Sequence, residues 1–123
     1  MNNTFTLVTE RIEGTNIIYS KVSGELSDDV TDMIYRENEK IAATFDDPND
    51  IRLLVDARES GKAYSKARKQ FSGVLKKKEI KKIAVLGNKP FLKAMLTFYR
   101  IVAGVDKIRS FSLKDDAIAW LKE

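Results

Sequence analysis

Cysteine and histidine are both absent from the 123 residues. Without cysteine there is no disulfide, no thiolate nucleophile and no thiolate metal ligand. Without histidine the commonest general base and the commonest metal ligand are missing. Ser-His-Asp and Cys-His catalysis are therefore excluded, as is an ordinary structural zinc site. Only carboxylates, lysines and hydroxyls remain as catalytic material, which points away from an enzyme and implies no cofactor. Two prolines and six glycines leave no Pro/Gly-rich linker. No apolar run nears the ~20 residues that cross a bilayer, and the opening MNNTFTLVTE lacks a charged-then-apolar signal pattern. A cytoplasmic protein is expected.

What is present suffices for a core. Hydrophobic residues make up 43% and charged residues 33%, a globular rather than a disordered balance. A chain of this size buries roughly 65% of the surface it exposes when unfolded. One domain over residues 1–123 is expected, since no repeat or low-complexity tract divides it.

Charge is uneven along the chain. Residues 1–57 hold 5 basic and 12 acidic side chains, whereas residues 58–82 hold 10 basic and 2 acidic. The net +8 of that 25-residue segment is twice the +4 of the whole chain. Its densest part, Lys76-Lys77-Lys78 with Lys81-Lys82, lacks interleaved aromatics that would act as stacking platforms. A solvated helix face is the better account, and specific nucleic-acid binding is not expected.

Hydrophobic patterning sets the elements. Residues 4–12 and 16–23 read as strands joined by Glu13-Gly14-Thr15. Ser27, Asp28 and Asp29 open an amphipathic helix over about 28–44, which the loop 46–50 stops. The apolar runs Ile51–Val55 and Ile83–Leu86 read as buried strands, and Ile108–Phe111 as a last one. Between them fall a helix with the stripe Tyr64, Ala67, Phe71, Val74 and Leu75 and another from about Pro90 to Gly104. Ser112-Leu113-Lys114-Asp115 fits a capping box for the terminal helix. The order β-β-α-β-α-β-α-β-α implies a mixed, mostly parallel five-stranded sheet with about four helices. Ligands of such sheets gather at the carboxyl ends of the parallel strands.

Several stretches carry a resemblance. Leu53-Leu54-Val55-Asp56-Ala57-Arg58, Ile83-Ala84-Val85-Leu86-Gly87, Lys107-Ile108-Arg109-Ser110-Phe111 and Asp115–Leu121 resemble, in order and spacing, the small STAS-type proteins called SpoIIAA-like. These are relatives of anti-sigma-factor antagonists and distant cousins of the CRAL-TRIO lipid-binding fold. The resemblance implies an α/β STAS fold and a regulatory, protein-binding role rather than catalysis. It also implies a phosphorylatable serine at the start of the helix after the third strand, in an Asp-Ser-x-Gly-type motif. This sequence has no such motif; Ser60 and Ser65 lie in the corresponding region. The CRAL-TRIO kinship implies a second possibility, a carrier of a lipid or other apolar ligand.

The residues themselves offer three candidate sites. Asp56 ends a strand, as a phosphoacceptor would, but the acidic pair and strand-end lysine of that chemistry are missing. It reads instead as a carboxylate that caps the following loop or pairs with Arg58. Gly87-Asn88 joins a strand to a helix and, with Asp56 and Arg58, forms a candidate anion or strand-end site, although its single glycine reads better as a tight turn. The Pro90–Gly104 helix is apolar almost all round, with only Lys93, Thr97 and Arg100 as a polar stripe. One sheet face needs an arc of ~100°, so Phe91, Met95, Phe98, Tyr99 and Val102 are expected to meet something else. A homodimer is the simplest partner; a protein partner, an apolar small ligand and a peripheral membrane contact are the others.

Overall fold

The hairpin of β1 (Thr6–Arg11) and β2 (Ile17–Leu26) forms where alternating side chains flank the Gly14 turn, with Thr6 opposite Ser23 and Arg11 opposite Ile18. The computed structural model describes residues 6–63, 65–87, 90–103 and 107–123. From β2 the chain continues through α1 (Asp28–Ala42), β3 (Ile51–Asp56), β4 (Ser60–Ala63) and α2 (Ser65–Leu75). It ends with β5 (Ile80–Leu86), α3 (Pro90–Ala103), β6 (Ile108–Phe111) and α4 (Lys114–Lys122).

The sheet order is β1-β2-β3-β5-β6, antiparallel only between β1 and β2. Apolar residues cover both faces. Ile18, Leu53, Ile83 and Val85 meet Tyr35, Phe71, Val74, Leu96 and Tyr99, so α1, α2 and α3 share one side. Ile17, Leu54, Ala84 and Leu86 meet Ala117 and Leu121, so among the described helices α4 covers the other. Burial on both faces is why the middle strands read as unbroken apolar runs.

Two expectations are corrected. The sheet has six strands rather than five, because β4 pairs with the far end of β2, Gly24 opposite Ser60 and Leu26 opposite Ala63. Beyond the end of β3, the edge of β2 is open and the returning chain fills it. The capping box is also absent: the N-cap position of α4 is Leu113, without a side-chain cap. At the other end of α4, the Arg52 guanidinium donates to the Leu121 carbonyl and the Lys82 ammonium to that of Trp120 at 2.9 Å. Cations at a helix C-terminus satisfy free carbonyls and oppose the dipole.

Candidate functional site

Asp56 is the last residue of β3 and has no exposed surface. Burying a charge is costly unless it is paired and hydrogen-bonded. Here the Tyr19 hydroxyl donates to its Oδ2 at 2.7 Å, and Arg58 donates through Nη2 to Oδ2 at 2.7 Å and through Nε to Oδ1 at 2.9 Å. The Arg58 backbone N–H adds a bond to Oδ1 at 3.2 Å. Burial alone would raise the carboxyl, but the arginine and tyrosine bonds prevail and hold it at about 2. Burial and the bond to Asp56 push the Tyr19 hydroxyl up to about 12. The bond to Asp56 also raises the guanidinium of Arg58. Over the Tyr19 ring, 4.0 Å from its centre, lies the Lys114 ammonium from the start of α4.

Asp56 therefore remains an anion, bound by a two-pronged arginine. A general base with its pKa tuned toward neutrality is the opposite arrangement. The knot holds the turn from β3 to β4 on the sheet, where Ala57 N–H donates to the Leu86 carbonyl at 2.9 Å. Gly87 does not offer a free amide for an anion: its N–H donates to the Phe111 carbonyl at 3.1 Å. Its φ of +150° suits glycine and lets the chain leave β5. Asn88 lies outside the described residues.

Ser60 is not at a helix start. It is a buried residue of β4 whose Oγ donates to the Ala57 carbonyl at 3.0 Å. Ser65 begins α2, but its side chain lies outside the described ones. Two lysines have structural partners: Lys82 of the basic region binds the end of α4, and Lys107, further along the chain, donates to the Lys77 carbonyl at 2.7 Å.

The second feature is α3. Leu96 and Tyr99 are in the core, and Tyr99 meets Phe71 edge-on at 5.0 Å, which corrects its expected place on the surface. Phe98 and Ile101, one turn apart on the other side, are 59% and 78% exposed. The same helix also exposes Lys93, Thr97 and Arg100. A side chain of this size gains roughly 1.5–3 kcal/mol when fully buried, so the pair is a substantial adhesive spot. The side chains of Phe91, Met95 and Val102 lie outside the described ones. Sequence patterning found the excess of apolar residues on α3 but could not tell which of them the sheet absorbs.

Among the described residues no cluster of three or more acidic side chains is placed to hold a metal ion, and no helix is long and apolar enough to cross a membrane. The layered α/β fold, with three helices on one sheet face and one on the other, defines the class. The SpoIIAA-like family model matches residues 17–122, and the chain belongs to that family. It resembles an uncharacterised Shewanella loihica protein with a SpoIIAA-like fold at TM-score 0.71 and 21% identity, over 95% of this chain and 93% of that one. It also resembles an anti-sigma factor antagonist from Mycobacterium paratuberculosis at TM-score 0.67 and 16% identity, over 100% and 98%. At these identities the likeness is one of fold. No curated protein matches.

Proposed function

We propose that the chain is a non-enzymatic regulatory domain that acts by binding another protein molecule through α3. The observation that carries this reading is the exposed pair Phe98 and Ile101 on a helix whose other side is core. Large exposed apolar side chains close together mark contact surfaces. Family membership and the resemblance to a protein named an anti-sigma factor antagonist support a binding role. So does the strand-end carboxylate, which is occupied by Arg58 and Tyr19 rather than poised for proton transfer.

Lysine-directed crosslinking in cell lysate tests the reading, with products identified by mass. Wild type is expected to give a product through Lys93 that Phe98→Glu/Ile101→Glu loses while its thermal unfolding is unchanged. Identical products from both proteins, or none from either, would overturn it. An apolar molecule that co-purifies with the wild type in native mass spectrometry would put the carrier reading in its place.

A further inference from the structure

The three helices on one side of the sheet stand in a row. α1 lies against β1 and β2, α3 lies against β6, and α2 touches both of its neighbours. Charge changes sign along that row. α1 carries Asp28, Asp29, Asp32, Glu37 and Glu39 against only Arg36 and Lys40. α2 carries three cations and α3 two, and neither has a carboxylate.

Both ends of the row also expose apolar surface. At the acidic end Met33 is 38% exposed, one turn from exposed Asp29. At the basic end Phe98 and Ile101 are exposed among Lys93 and Arg100. Each end is thus an apolar spot beside charge of one sign, and the two signs are opposite.

The helix directions make this pattern complementary to itself. β2 and β5 point the same way, since both are parallel to β3. The helices that follow them, α1 and α3, therefore start at the same edge of the sheet. A half-turn about an axis lying over α2 sets one copy on another with start over start. Asp28 and Asp29 of each copy then meet the Lys93 end of the other's α3, and the apolar spots meet beside them. Two-fold contacts of this kind are closed and use one patch twice. A uniformly anionic surface would be attracted by α2 and α3 but repelled by α1.

We infer that the molecule covering α3 is a second copy of this chain, with each acidic α1 against the other's basic α3. This rests on the reading of α3 as a protein-binding helix and names the protein.

Sedimentation velocity over a range of concentrations tests it with two variants, Lys93→Glu and Asp28→Lys/Asp29→Lys. Wild type is expected to form a dimer that weakens as salt is raised. Each variant alone should dissociate more than about tenfold more readily, because like charges then face each other. An equimolar mixture of the two should restore the dimer. A wild type that stays monomeric, variants that dimerise as the wild type does, or a mixture no better than its parts would each overturn the inference. So would a monomer that co-sediments with phosphatidylglycerol vesicles. A monomeric wild type leaves the protein-binding reading standing, since that reading falls only with the crosslinking result on Phe98→Glu/Ile101→Glu.

Discussion

Asp56 can be both buried and charged because Arg58 and Tyr19 supply it with four hydrogen bonds. Removing it leaves the Tyr19 hydroxyl without this acceptor, whereas half-exposed Arg58 can turn toward water. Asp56→Ala is expected to cost about 2 kcal/mol, read as a lower midpoint in urea unfolding. The pH dependence follows from the same bonds. A carboxyl held at about 2, against its usual 3.8, stabilises the fold above about pH 4. That contribution is lost as pH falls from about 4 to 2, a loss on the order of 2 kcal/mol. Asp56→Asn should flatten the acid limb of the stability curve; an unchanged limb would show that other carboxyls govern it. Tyr19, raised to about 12, gives the opposite sign, with stability present below pH 10 and lost as pH rises from about 10 to 12. The Asp56–Arg58 pairing was legible in the sequence because its members are only two positions apart. Tyr19 was not, since it sits 37 positions away on another strand and only the sheet brings it near.

At the scale of the element, strands with strong apolar patterning were legible and those made by pairing were not. Ile51–Asp56 and Ile108–Phe111 follow their hydrophobic runs closely. Ser60-Gly61-Lys62-Ala63 has neither alternation nor β-branched residues, and it is a strand because β2 outruns β3. β5 begins at Ile80, earlier than the apolar run, because pairing with β3 extends that far, Ile51 opposite Ile80 and Arg52 opposite Lys82. Its ammonium holds the Trp120 carbonyl and lies 4.8 Å from the centre of that indole ring. Lys82→Ala is expected to destabilise the end of α4 by about 1 kcal/mol. Trp120 is the single tryptophan, so its fluorescence should shift to the red as water reaches the ring. Emission and urea midpoint both at wild-type values would remove Lys82 from the account.

At the scale of the whole molecule, the acidic first half of the sequence supplies α1 at one end of a helical row, and the basic remainder supplies α2 at its centre and α3 at its other end. The charge imbalance was legible, but its meaning was not, because only the sheet order places α1 and α3 at opposite ends of the same face. α4 stands apart on the other side of the sheet. If the row is the contact surface, association must leave α4 untouched. Backbone amide chemical shifts recorded by NMR as the protein is diluted test this most directly. The account predicts concentration-dependent shifts in α1, α2 and α3, centred on Met33 and on Phe98 to Ile101, with α4 unchanged. Shifts centred on α4, or none at any concentration, would contradict it.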